Sequence, residues 1–274
     1  MPPYRKIEST QNPLIKEALD VKVKRHRYRH EAFLIEGPNL IEGALKRASR
    51  AALKRVFYTE RFRQHSPALI EGMGKAGTEM FELTERVIAR LSETEAPQGV
   101  VAVSSYRPWR LGDLSIKGAL VVSDGIQDPG NLGSAIRTAD AAGADGVVLL
   151  PGTCDPFMPK ALRASAGSIF RVPVLYGERE ALAGLLRRRK VRLAVTVLDA
   201  PESLFEADLR PPIAFVFGNE ASGVGADLRE AADLRLRIPL RGGAESLNVA
   251  ASVAVCLYEA LRQHSGAKSP SGPP

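Results

Sequence analysis

Only two cysteines, one tryptophan and four histidines occur in the 274 residues, and each scarcity removes a class of chemistry. Cys154 and Cys256 lie in or beside apolar sequence. They have neither a CxxC partner nor histidines at ligand spacing, which argues against a disulfide framework or structural zinc and leaves free thiols. No metal site is expected. A run of about 18 apolar residues, the length that crosses a bilayer, is missing. The opening MPPYRKIEST also lacks the charged-then-apolar pattern of a secretory leader. The expected address is cytoplasmic, with no membrane partner. There is no Walker A loop, and no G-x-G-x-x-G with an acidic residue about 20 positions on follows the first strand of the C-terminal half, so a Rossmann oxidoreductase is poorly supported.

The chain does contain apolar and basic sequence. With 45% hydrophobic and 25% charged residues, it can build true cores, and its length suits two domains better than one. Residues 1–55 hold 13 Lys and Arg against 6 Asp and Glu, a net +7 that equals the charge of the whole chain. The remainder is neutral, so the basic end points to a polyanionic partner.

The first hundred residues read as a small α/β unit. A basic helix is expected over about Gln11–Arg29, with strands at Ala32–Ile35, Leu53–Tyr58, Glu79–Leu83 and Gly99–Ser104. Helices are expected after Pro38, near Pro67–Lys75 and over Glu85–Leu91. The run Lys22–His30 carries five fixed cations and no carboxylate. A solvated helix face would explain such a run, but its length and the interleaved Tyr28 favour RNA contact through Lys22, Lys24, Arg25, Arg27 and Arg29. We expect an RNA-binding domain over 1–105, a linker over 106–117, a catalytic domain over 118–264 and a disordered tail over 265–274. Trp109, in the linker, is read as junction packing before base stacking.

From Ala119, strands such as ALVVS, GVVLL, VRLAVTVL, IAFVFG and LRLRIP alternate with helical runs. That pattern predicts a parallel sheet with crossover helices, and in such sheets ligands bind at the carboxyl ends of strands. A closing helix over about Ser246–Arg262 is apolar around most of its circumference. Burial against a second subunit or within the chain would each account for it.

Three turns stand at strand ends. The first, Asp124 to Gly133, opens a helix that carries Arg137; Asn131 is the expected N-cap. Taken alone, Arg137 is most simply a salt-bridge partner. The second, Phe217 to Val224, holds Asn219 and Glu220, which could cap a helix or face a ligand. In the third, Ile238 to Val249, Ser246 is the expected cap of the last helix, with Asn248 in its first turn.

Together, DPGNLGSAIRTADAAGADGVVLL, FVFGNEASGV and IPLRGGAESLNVAASVAV resemble the three motifs of the SpoU, or TrmH-like, branch of the SPOUT RNA methyltransferases, over roughly Gly118 to Arg262. The basic first hundred residues are similar to the ribosomal-protein-like (L30e-like) substrate-binding domain that many members carry. The segments IESTQNPLIK and FLIEGPNLIEGAL look like the subgroup with ribosomal RNA targets. The resemblance implies an α/β parallel-sheet domain closed by a deep trefoil knot, which ordinary topology rules would have excluded. It also implies a homodimer through the C-terminal domain and S-adenosylmethionine as cofactor, held by Val197, Leu198, Gly218, Asn219, Ile238, Leu240, Ser246 and Leu247. Arg137 would be catalytic, with Asn131, Glu220 and Asn248 as polar neighbours.

The implied reaction is methylation of a ribose 2′-hydroxyl, with 23S ribosomal RNA the expected target. Transfer RNA, an RNA-binding protein without catalysis, and another nucleotide-dependent α/β enzyme are the alternatives. A guanidinium pKa above about 12 makes neutral arginine scarce. Arg137 is therefore expected to clamp RNA phosphate and developing alkoxide, with the proton leaving through that phosphate, Glu220 or water.

Overall fold

The computed structural model describes residues 5–46, 51–94 and 96–266. These divide into two compact units: one holds the chain up to Pro108 together with Phe157–Phe170, the other Trp109–Pro156 and the chain from Arg171.

In the first unit the order is β1 (Arg5–Ile7), α1 (Pro13–Asp20), α2 (Lys24–His30), β2 (Ala32–Glu36), α3 (Pro38–Lys46), β3 (Ala51–Thr59), α4 (Glu60–His65), α5 (Pro67–Lys75), β4 (Glu79–Leu83), α6 (Glu85–Leu91) and β5 (Val100–Tyr106). The sheet order is β1-β4-β3-β5-β2. β1, β4 and β3 run parallel, and β5 is antiparallel to both β3 and β2. Apolar residues fill both faces because successive strand side chains point opposite ways. Phe57, Val101 and Val103 cluster with Ile15 of α1 and Ile88 of α6. Val56, Tyr58 and Ala102 cluster with Ile41 of α3 and Met73 of α5.

The basic helix expected over Gln11–Arg29 is two helices. Val23 caps α2 in an extended conformation, and the buried Arg27 side chain donates to the carbonyls of Val21 (3.2 Å) and Lys22 (2.5 Å). A guanidinium that takes up these carbonyls stabilises the break.

The second unit opens with β6 (Ala119–Asp124), α7 (Pro129–Ala141) and β7 (Gly146–Leu149). The chain then joins the first unit: α8 (Pro159–Ser165) places Leu162 in that core, and Phe157 lies 4.4 Å, ring centre to ring centre, from Phe33. It returns through β8 (Val174–Tyr176), α9 (Arg179–Arg188), β9 (Arg192–Thr196), β10 (Glu202–Ser203), β11 (Ile213–Gly218), α10 (Ala226–Ala231), β12 (Leu234–Arg237) and α11 (Val249–Gly266). The sheet is parallel throughout, in the order β10-β12-β9-β11-β6-β7-β8. Part of the segment expected as a linker belongs to this unit, since Leu114 and Ile116 are in its core and Trp109 packs against it.

The strand order sets the site. From β6 the chain moves outward to β7 and β8, then crosses back to β9, leaving β11 to enter beside β6. Such a reversal opens a crevice at the carboxyl ends of the two central strands. Their register pairs Gly218 with Asp124, so the first and second turns leave the sheet side by side. The expected tail begins inside α11, which runs to Gly266; residues 267–274 of that tail lie outside the described residues.

Candidate active site

The caps differ from expectation, and the difference builds the site. Pro129 starts α7, and Asp128 caps it by accepting from the Asn131 amide at 2.9 Å. Proline at the first helical position suits a cap one residue earlier, which frees the Asn131 side chain. Likewise Asn248, not Ser246, caps α11: its Oδ1 accepts from the Ala250 amide at 2.9 Å.

Asn131 joins the three turns through its one amide group. Its Nδ2 donates to Glu220 Oε1 at 3.0 Å, and its Oδ1 accepts from Asn248 Nδ2 at 2.9 Å. Glu220 also accepts from the amides of Gln127 (3.2 Å) and Asp128 (3.3 Å). Partial burial works against its ionisation, but the Asn131 donor and these backbone amides outweigh it, so the Glu220 pKa lies below the ordinary carboxylate value. Glu220 is thus an anion whose acceptor positions are largely taken.

Asn219 organises the second turn. Its Oδ1 accepts from the amides of Ala221 (2.9 Å) and Ser222 (3.0 Å), while its Nδ2 donates to the Gly125 carbonyl at 2.9 Å. The chain folds back so tightly that Asn219 and Gly223 exchange both backbone hydrogen bonds. Gly223 has φ +71°, and a Cβ on Gly218 would lie 2.1 Å from the Gly223 carbonyl carbon. Only glycine fits at 218.

Arg137 is exposed on α7 and makes no hydrogen bond or ion pair with any described residue. It is not brought into the Asn131–Glu220–Asn248 cluster. Six residues of helical rise put it about 9 Å further along the axis than Asn131. The salt bridge that would have explained it is absent among the described residues.

Beside the cluster, the loops after β9, β11 and β12 enclose an open cavity of about 430 Å³. Val197, Leu198, Ile238, Leu240, Ser246 and Leu247 all line it. Gly218 and Asn219, expected with them, do not; they shape the turn whose residues 221–224 form one wall. Leu198 is 68% exposed, and Leu240 and Leu247 are open as well. Large apolar side chains kept open at a concave wall mark a binding surface.

Sequence reasoning missed several residues that support these loops. Asp124, buried at the end of β6, accepts from the Gly225 amide at 2.8 Å and from Arg179 at 2.5 Å. Thr153 Oγ1 accepts from the Gly125 amide at 3.1 Å and donates to the Ser123 carbonyl at 2.9 Å. Asp199 and Arg229 also line the cavity. Asp124 was findable as a carboxylate closing an apolar strand; Arg229 gave no local signal.

In the first unit the basic run is only partly open. Lys24, Arg25 and Arg29 are exposed. Arg27 is buried on backbone carbonyls, which corrects the expectation that it faces RNA, and the half-buried Lys22 pairs with Glu93 at 3.2 Å. Tyr28 turns inward, edge-on to Tyr106 and Phe157. Burial raises both thiols, Cys154 to about 11. Among the described residues no helix is long and apolar enough to cross a membrane.

Residues 118–258 match the model of the SpoU rRNA Methylase family, and residues 12–102 that of the MRM3-like substrate binding domain. The 23S rRNA (guanosine(2553)-2′-O)-methyltransferase RlmP of Bacillus subtilis is 37% identical over 93% of this chain and 98% of its own. Among solved structures, the AdoMet-bound rRNA methyltransferase from Sinorhizobium meliloti superposes with a TM-score of 0.85 at 31% identity, covering 94% of this chain and 98% of that one. The SpoU methyltransferase AviRb from Streptomyces viridochromogenes, in complex with AdoMet, gives 0.84 at 29% identity over 92% and 98%. With its three turns gathered at one end of a parallel sheet and its length matched by both family models, the chain belongs to the SpoU rRNA methylase family.

Proposed function

We propose that this chain is an S-adenosylmethionine-dependent RNA methyltransferase acting on a ribose 2′-hydroxyl of 23S ribosomal RNA. The observation that carries this reading is the cavity of open apolar walls beside the Asn131–Glu220–Asn248 cluster, in a chain whose relatives are named for that reaction on that RNA. Its volume lies in the range of small-ligand sites. Val197, Leu198, Ile238, Leu240 and Leu247 would enclose the adenosine, and Ser246 would contribute polar contacts. S-adenosylmethionine supplies, when bound, a methyl group activated by its sulfonium.

The protein's own residues then have two tasks, which are to align the hydroxyl and to accommodate its proton and developing charge. Glu220, with a lowered pKa and its oxygens engaged by three donors, is a weak base. Its role is to lock the first turn to the second. Arg137, exposed and without a partner among the described residues, is suited to clamp the adjacent phosphate and stabilise alkoxide charge. The proton then leaves through phosphate or water.

Exposed Lys24, Arg25 and Arg29 would hold RNA backbone. We also assign a trefoil knot, supported by the path from β12, outside β9, back to α11 packed on α7. A homodimer is supported by the uncovered Tyr258 and Leu261 of α11.

The test is Arg137→Ala. Turnover on ribosomal RNA should fall by about a hundredfold or more, while calorimetric affinity for S-adenosylhomocysteine is kept. Near-normal turnover would remove Arg137 from the mechanism. Mapping ribose methylation in RNA from cells with and without the gene tests the target: an unchanged 23S map overturns it.

A further inference from the structure

Two opposite charges face the cavity without meeting each other. Asp199 is the only carboxylate and Arg229 the only fixed cation among its lining residues, the rest being apolar or uncharged. Neither side chain makes a hydrogen bond or ion pair with a described residue. Other charges of this unit close by are paired: Asp208 pairs with Arg210 at 2.8 Å, and Asp227 lies 3.5 Å from Arg179. A carboxylate and a guanidinium on one cavity, each left unpaired, match a ligand that carries both signs.

The surrounding geometry separates an apolar compartment from a charged one. Asp199, Arg229 and Val197 also line an adjoining cavity of about 260 Å³, whose other walls include Ala200, Glu230 and Arg235. The two cavities therefore meet along Val197, Asp199 and Arg229. The first has the open leucine walls that suit a flat purine, and the second carries four charged residues, Asp199, Arg229, Glu230 and Arg235. The end of α10 that carries Arg229 is held in place, because Arg235 Nε donates to the Arg229 carbonyl at 3.0 Å.

We propose that Asp199 and Arg229 form a clamp for the zwitterionic amino-acid end of S-adenosylmethionine, the guanidinium taking the carboxylate and Asp199 the ammonium. This assignment rests on the cofactor reading above and adds to it. Adenosine would be held by apolar walls, whereas the methionine end would be recognised by charge where the two cavities meet. Guanidinium–carboxylate pairs are charge-assisted and can be bidentate, which fixes orientation as well as position.

The experiment compares two ligands that differ only at that end. S-adenosylhomocysteine carries the amino acid, and 5′-methylthioadenosine keeps the adenosine and thioether without it. Calorimetry on the wild type, Arg229→Met and Asp199→Asn should show each variant weakening S-adenosylhomocysteine by about fivefold to tenfold. Affinity for methylthioadenosine should stay within about twofold, which also shows that the cavity is intact. Equal losses for both ligands, or no loss for either, would overturn the clamp alone. A wild-type protein that bound neither ligand would overturn the cofactor reading itself.

Discussion

Asn131 is placed where no substitute of similar size keeps both contacts, because it must donate to a carboxylate and accept from an amide at once. Glu220 depends on that donor for its low pKa, and this gives a pH prediction. A carboxyl whose folded pKa lies below its unfolded value, about 4.3 for glutamate, adds stability that is complete above that value. The stability is lost as pH falls through the folded one. Glu220→Gln should therefore flatten part of the acid limb of the wild-type denaturation curve, below about pH 4.5, and leave stability near pH 7 to 8 lower. Parallel wild-type and variant curves throughout would show that the carboxylate does not lock the turns. Gly218→Ala is the steric counterpart. Its new Cβ would meet backbone at 2.1 Å rather than a movable side chain, so the turn must shift. Thermal denaturation should report a loss of about 1 to 3 kcal/mol, and S-adenosylhomocysteine binding should fail with it.

Within α2, residues of one type divide into two roles. Neutralising Lys24, Arg25 and Arg29 to Gln should weaken RNA binding and lower the slope of log affinity against log salt by roughly 2 to 3, with the melting temperature unchanged. Arg27→Gln should do the reverse, costing about 1 to 3 kcal/mol of stability while the salt slope hardly moves. Filter binding across a salt series checks both; equal slopes in all proteins would remove α2 from RNA contact. The charge run was legible in the sequence because charge is local. The burial of Arg27 was not, since it depends on where the chain breaks between α1 and α2. Proline and capping chemistry misled for the same reason. Asn131 reads as a cap until Pro129 is seen to need Asp128 in that place. Strands such as β6 and β11 were readable from their apolar runs, whereas three-residue β1 and β8 are too short to show periodicity. Of the residues expected around the cofactor, those on the loops after β9 and β12 do line the cavity. Gly218 and Asn219 instead shape its wall, a distinction set by backbone packing that no motif encodes.

At the scale of the whole molecule, the catalytic unit leaves one helix incompletely covered. α11 packs against α7, β11 and β6 and buries Val253, Cys256, Leu257 and Ala260. Ala251 and Tyr258 fall on the opposite side and Leu261 on its flank, and Tyr258 is 50% exposed. The sequence showed a helix apolar on nearly every face and left open whether one chain or two would bury it. In the structure, one chain buries about half its circumference. Transfer of apolar side chains out of water favours covering the remainder, at roughly 25 cal/mol per Å², and a second copy offers the same surface in a two-fold arrangement. The pair Tyr258→Glu and Leu261→Asp should then convert a dimer to a monomer in sedimentation equilibrium, because each introduces a charge that pairing would desolvate. The monomeric variant should keep its fold by circular dichroism, since neither side chain is in the core. A wild-type protein that sediments as a monomer at micromolar concentration would show that this face has another use.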